Sequence, residues 1–397
     1  MYKKLKRKWN KILFVLSEFV TNIFNLGKSS LDYELNSEHF KDIFDRSKKK
    51  VDSDKIVFGF WKELSENAKK ENRPLYVLAP MADVTDVAFR HMLNKYGKPD
   101  VTWTEFVSAN GLMSEGREHL KRDLEYKEEE RPIVAQLFTS EEKNMEGAAR
   151  LCTELGFDGI DINMGCPDKT IEKQGAGSKM ITTPEIAKEV IMAAQRGAIR
   201  KNKITGEIEA VPVSVKTRIG WNKVEWQSWL PQILECNIPV LTVHLRTRKE
   251  LSMVPAHYEY IDDIYNMVKS ISPKTLLIIN GDIKSLGHAD ELYSKYAFDG
   301  AMIGRAVFGK PWLFDKEKTL KENDYSLEEK LRIMIEHTKL FEEKLGDIKS
   351  FSIMKKHYKA YVNGFDGAKE LRNKLFESKN AKEAENTVNN FLKSVDL

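Results

Sequence analysis

PIVAQLFTSEEKNMEGAARLCTELGFDGIDIN, residues 132–163, holds two short apolar runs, 132–138 and 157–163, with a longer amphipathic stretch, 141–155, between them. Runs with so little polar alternation fit strands buried on both faces, and a helix is the connection that two parallel strands need. The same unit recurs along the chain. Further apolar runs stand at 75–80, 101–107, 211–217, 240–245, 275–280 and 298–303, and helix-like stretches such as 184–200 and 289–296 lie between them. This makes about eight strands alternating with helices, the number that closes a barrel. The expected fold is an α/β protein built on a (β/α)8 TIM barrel.

After residue 314 the strand pattern stops, and 326–345, 351–362, 367–376 and 381–392 read as helices joined by short turns, a small C-terminal helical domain. An N-terminal helical extension precedes the barrel. In it Lys3, Lys4, Lys6, Arg7 and Lys8 lead into an apolar stretch at 12–24 that Ser17, Glu18, Thr21 and Asn22 interrupt. Without a small-residue cleavage site it is a poor signal peptide, and it is too short and polar to span a bilayer. Leu5, Trp9, Ile12, Leu13, Leu16, Val20, Ile23 and Phe24 follow one helical face, so a helix docked on its own protein is expected. A membrane-surface helix and an organellar targeting segment are the alternatives. The lysine run at 48–50 and the polar residues at 52–54 read as a linker, and Trp61 to Leu64 as a lid on the bottom of the barrel. The expected divisions are 1–55, 56–320 and 321–397.

With 41% hydrophobic residues in 397, the chain can bury a large core and is not a disordered polymer. Cys152, Cys166 and Cys236 are too few and too unevenly spaced for a disulfide framework or a CxxC metal site. That favours a reducing compartment, the cytoplasm, and at most one functional thiol. A net charge of +4 is only mildly basic, so any nucleic-acid surface has to come from local clustering.

Active sites of this barrel class lie at the C-terminal ends of the strands, and the polar residues there form a coherent set. The ends carry Ala79-Pro80-Met81-Ala82, Gln136, Asn163-Met164-Gly165-Cys166-Pro167, Lys216 with Arg218, His244 with Arg246 and Arg248, Asn280-Gly281-Asp282, and Gly304-Arg305. Gly281 and Gly304 after the last two strands suit a phosphate approaching backbone N–H groups, with Arg305 supplying charge, although turn geometry alone also explains a glycine at a strand end. Lys216 is rare for a buried strand and fits an anionic or electron-rich ligand; an internal ion pair with Asp161 or Glu105, or a Schiff-base lysine, would explain it too. His244 could equally be a core histidine. Cys166, between Gly165 and Pro167, reads as a thiol held on a rigid turn, a nucleophile or proton donor, whereas Cys152 and Cys236 sit in amphipathic patterns as small core hydrophobes.

The segments Leu78-Ala-Pro-Met-Ala-Asp-Val-Thr-Asp86 with Phe89-Arg90, Thr104-Glu105, Asn163-Met-Gly-Cys-Pro167, Val215-Lys-Thr-Arg218, His244-Leu-Arg-Thr-Arg248, Asn280-Gly-Asp282 and Ile303-Gly-Arg305 with Pro311-Trp312 stand in order across 75–314. Each is weak alone; the ordered set resembles the tRNA-dihydrouridine synthase family. The tail, with Met354-Lys-Lys-His357, Tyr361 to Gly364 and Leu371-Arg372, is similar to that family's RNA-binding domain. The resemblance implies FMN, contacted by Pro80 and Met81 near the ring, by Gln136, Lys216 and His244, and at its phosphate by Asn280, Gly281, Asp282, Gly304 and Arg305. It implies NADPH or NADH as reductant, hydride from flavin N5 to C6 of a uracil, a proton from Cys166 to C5, and Asn163 and Arg218 orienting the base. It implies tRNA as partner, with Lys355, Lys356 and Arg372 meeting phosphates beside the rings of His357 and Tyr361. The loop 249–254, Lys-Glu-Leu-Ser-Met-Val, departs from the family's Gln and Gly/Tyr-rich turn. An FMN-dependent ene-type reductase or dehydrogenase acting on a small molecule is the nearest alternative, and an RNA-binding barrel without catalysis a further one.

Overall fold

The computed structural model describes residues 53–201, 206–319 and 325–395. The expected N-terminal amphipathic helix and its lysine run lie outside the described residues, and the described residues pack as one compact unit. The strands are β1 (Leu75–Leu78), β2 (Thr102–Ser108), β3 (Ile133–Phe138), β4 (Gly159–Met164), β5 (Ile199–Lys201), β6 (Ile208–Ala210), β7 (Val213–Arg218), β8 (Val240–His244), β9 (Leu276–Asn280) and β10 (Gly300–Ile303). Eight of them form one sheet in the order β1-β10-β9-β8-β7-β4-β3-β2. A parallel bridge between Val77 and Val101 joins its two ends, so the fold is the expected TIM barrel. All eight apolar runs became these strands, and β1 and β4 are buried along their whole length, which is why their sequences show no polar alternation.

Parallel register brings the polar strand ends together: Asn163 stands beside Lys216, Arg218 beside His244, and His244 beside Asn280. At the opposite end the helix Trp61–Lys70 closes the barrel floor as expected. Its Trp61 is buried against Trp103, with ring centroids 5.8 Å apart, in a core that includes Val77, Val134 and Ile278.

One helix is shorter than its periodicity predicts. The stretch 184–200 is helical only over Pro184–Gly197, and at its last residue Gly197 packs so closely on the Glu146 carbonyl that a Cβ would lie 2.2 Å from it. Ile199–Lys201 then turns back as a hairpin with Ile208–Ala210. Strands of three residues carry too few alternations to register as a period.

In the tail, Ser326 and Glu329 form a reciprocal capping box that starts the helix Leu327–Leu345. Helices Met354–Tyr361, Ala368–Glu377 and Ala381–Ser394 follow. Their core of Met334, Phe341, Tyr358, Leu371 and Val388 is continuous with Val87, Ala88 and Met92 of the barrel helix Val87–Tyr96 and with Trp312. The tail is therefore seated on the barrel by apolar packing. Among the described residues no helix is long and apolar enough to cross a membrane.

Candidate active site

A cavity of about 260 Å³ opens where the strand ends converge. Pro80, Met81, Lys216, Arg218, His244, Asn280, Gly281, Asp282, Gly304 and Arg305, all singled out from sequence, line it together with Leu251 and Ser252 of the divergent loop. Gly281 has φ +127°, and a Cβ there would sit 3.0 Å from the Cβ of Ala256 and 3.2 Å from the ring of His244. Only glycine fits that turn. A Cβ at Gly304 would make only ordinary 3.5 Å contacts with Ala79 and Met81, so no neighbouring atom excludes a side chain there.

The cavity is cationic. Lys216 is partly exposed to it and has no hydrogen-bond or ion-pair partner among the described residues. The two acids weighed as its partners are engaged elsewhere: Asp161 accepts from Gln136 and Ser214, both at 2.6 Å, and Glu105 from Lys349 at 2.8 Å. Burial, reinforced by Arg218, pushes Lys216 down to about 8. Burial likewise takes Arg218 down to about 10. His244 is driven well below the usual histidine range by burial and then by Arg218 and Lys216, so its ring is neutral. Asp282, at φ +52°, is the acid on the wall. It accepts from the Ala256 amide at 3.1 Å, from Arg305 at 2.6 Å and from the buried Arg246, and these outweigh the effect of burial and hold it below the usual carboxylate range. Arg246 thus links loop and wall, since it also donates to the Val254 carbonyl at 2.6 Å.

Cys166 stands beside this cavity on a turn fixed from both sides. Asn163 Oδ1 accepts from the amides of Gly165 (3.1 Å) and Cys166 (2.9 Å), and its Nδ2 donates to Gln136 Oε1 at 3.1 Å. Arg218 Nε donates to the Gly165 carbonyl at 2.7 Å, and both the amide and the hydroxyl of Ser178 donate to the Cys166 carbonyl at 2.9 Å. Gly177, at φ +61°, lets that carbonyl approach, for a Cβ would lie 2.7 Å from it. Burial pushes the Cys166 thiol up, so it keeps its proton at neutral pH while staying partly exposed. Cys152 and Cys236 are buried, as expected of small core hydrophobes, and pushed up to about 12 by burial. Gln136 and Asn163 are buried, and neither is on the cavity wall; their amides are committed to the chain that runs from Asp161 to the Cys166 turn.

The tail residues are dispersed. Lys355 is exposed and has no partner among the described residues. Lys356 lies 3.7 Å from Asp83, and Arg372 donates to the Val362 carbonyl at 2.5 Å. His357 and Tyr361, expected to offer rings to RNA, are instead buried, because they continue the apolar face of Met354 and Tyr358. Sequence reasoning missed Lys349, whose ammonium pairs with Glu105 at 2.8 Å and Asp123 at 3.2 Å and so clamps the tail onto the barrel mouth. No periodicity marks a lysine whose partners are 226 to 244 positions away along the chain.

The sequence model of the family described as dihydrouridine synthase (Dus) matches residues 77–396. A probable tRNA-dihydrouridine synthase of Staphylococcus aureus strain MRSA252 is 38% identical over 340 residues, covering 85% of this chain and 97% of that protein. Probable tRNA-dihydrouridine synthase 2 of Bacillus subtilis strain 168 is 38% identical over 335 residues, covering 84% of this chain and 96% of that protein. With the family's match spanning barrel and tail alike, this chain belongs to the dihydrouridine synthase family.

Proposed function

We propose that the chain reduces the C5–C6 bond of a specific uridine in tRNA, as a flavin-dependent oxidoreductase driven by NADPH or NADH. The observation that carries this reading is an unpartnered Lys216 in a cationic cavity next to a protonated thiol on a fixed turn. A lone ammonium in such a place is unfavourable unless an anionic ligand meets it. FMN fits the residues present: Pro80 and Met81 would face the ring, Lys216 and His244 its polar edge with Gln136 behind them, and Asn280, Gly281, Gly304 and Arg305 the phosphate. At Gly304 the absence of a Cβ leaves the backbone open to an approaching phosphate. Asp282 acts there by holding Arg246 and Arg305 in place. When bound, FMN supplies the hydride for C6 of the uracil.

The residues of the chain do the rest. Cys166 gives its proton to C5, a role that needs only an ordinary protonated thiol. Neighbouring Lys216 and Arg218 ease the charge left on sulfur. Arg218 uses Nε and Nη1 to hold the turns at Gly165, Thr247 and Leu251, which leaves Nη2 for a carbonyl of the base. Asn163 acts through the Cys166 turn and is a positioning residue. The barrel, 56–320, is assigned this chemistry, and the helices of 321–397 the docking of tRNA, with Lys355, Lys356 and the remaining donors of Arg372 meeting phosphates. A cytoplasmic location follows from that substrate. The names of the two relatives support tRNA over a small-molecule substrate. Mapping dihydrouridine in tRNA from cells lacking the gene tests the reading: one position should revert to uridine, and an unchanged pattern would refute it.

A further inference from the structure

Three neighbouring loops at the mouth, those after β4, β7 and β8, are assembled around Trp221. The Arg248 guanidinium lies 4.5 Å from the Trp221 ring centroid and the Lys179 ammonium 5.3 Å from it. The Arg248 amide donates to the Gly220 carbonyl at 2.8 Å, and the Lys249 amide to the Trp221 carbonyl at 2.9 Å. Arg248 also grips Glu172 with two nitrogens, and Glu172 accepts at 2.9 Å from Ser178, whose hydroxyl and amide both hold the Cys166 carbonyl. This rim is thus one piece with the turn that carries the thiol.

Its acids are engaged. Glu172 pairs with Arg248, Glu225 accepts from the Trp221 amide at 2.8 Å, and Glu250 accepts from the Thr247 amide at 2.7 Å and meets His257 at 3.0 Å. Its lysines are not: the ammonium groups of Lys169, Lys173, Lys179, Lys223 and Lys249 make no ion pair or hydrogen bond among the described residues, and all but Lys179 are exposed. A surplus of uncompensated ammonium groups about an aromatic hub matches what an RNA strand presents, phosphates and unstacked bases.

We propose that this rim, and not the tail alone, binds the backbone of the RNA segment that carries the target uridine. The inference rests on the tRNA reading above. In place of tail lysines far along the chain from Cys166, it puts phosphate contacts on the same loops as the thiol, so that gripping the strand and presenting the base to Cys166 are one event.

The test is tRNA binding to the FMN-loaded protein across a salt series, comparing wild type with the triple variant Lys173→Ala, Lys179→Ala, Lys249→Ala. Three lost contacts to a single-stranded segment should flatten the slope of log affinity against log salt by about 2. Low-salt affinity should fall more than tenfold, and NADPH oxidation without RNA should be unchanged. Arginine at the same three positions should restore the slope, a rescue that a merely structural role would not require. An unchanged slope, in a protein that still makes dihydrouridine, overturns this inference alone. Slower NADPH oxidation without RNA also overturns it, since the lysines would then serve the dinucleotide's phosphates. A wild-type protein that makes no dihydrouridine overturns the proposed function and the inference with it.

Discussion

Lys216→Met should make the cofactor-free protein more stable and the cofactor site worse. Lys216 has no partner among the described residues, and burial with Arg218 takes it from 10.5 to about 8. At about 1.4 kcal/mol per factor of ten in proton affinity, the charged ammonium costs the folded state about 3 kcal/mol at neutral pH. The sign follows from proton counting. Between pH 8 and 10.5 the unfolded chain binds more protons at this site than the folded one, so wild-type stability rises with pH through that window. Below pH 8 the penalty is fully present. Methionine removes it, so at pH 7 the flavin-free variant should melt about 5 °C higher, and the gap should close above pH 10.5. In FMN titrations the same variant should bind at least tenfold more weakly, because the counter-charge is gone. Paired melting curves at pH 7 and 10.5, with flavin fluorescence titrations, read both effects. A variant that melts at or below wild type at pH 7 and binds FMN equally well would refute the electrostatic role given to Lys216.

Cys166→Ala should leave FMN binding and NADPH oxidation intact while lowering uridine reduction by roughly 10²-fold or more, the usual share of a positioned acid. Cys152→Ala and Cys236→Ala are the controls, and an equal loss from either without unfolding would reassign the acid. Asn163→Ala strips the amides of Gly165 and Cys166 of their acceptor and Gln136 of its donor. Stability should fall by about 3 kcal/mol in all, with a larger loss in uridine reduction than in NADPH oxidation; equal melting and activity would free Asn163 from its positioning role. In the tail, His337 and His357 are buried with ring centroids 4.6 Å apart and no hydrogen-bond partner among the described residues. Burial takes His357 down to about 3 and His337 well below the usual histidine range, so their stabilising neutral state is present above about pH 6.5 and lost as pH falls below it. His357→Phe should flatten the decline of melting temperature on acidification, and an undiminished slope would count against it.

Barrel, strand order of residues and cavity lining were legible because each rests on local signals. Unbroken apolar runs mark strands buried on both faces, and the polar residue that ends such a run faces the mouth wherever the register places it. His244, Lys216 and Asn280 were found in this way. What stayed hidden depends on pairing. Nothing in the chain order says that Gln136 and Asn163 use their amides on each other, that Arg372 caps a carbonyl, or that Asp282 holds two arginines. Lys349 and Trp221 were invisible for the same reason, each defined by partners on other loops. His357 and Tyr361 misled because a basic helix with rings reads as an RNA surface until the face shared with Met354 and Tyr358 is seen to be the packed one.

The central claim is tested most directly by giving the purified, FMN-loaded protein NADPH and a tRNA transcript free of modifications, then analysing the nucleosides by mass spectrometry. The account predicts the gain of two hydrogen atoms on uridine at one defined position, with NADPH consumed in equal amount. NADPH oxidised with every uridine left intact would contradict it.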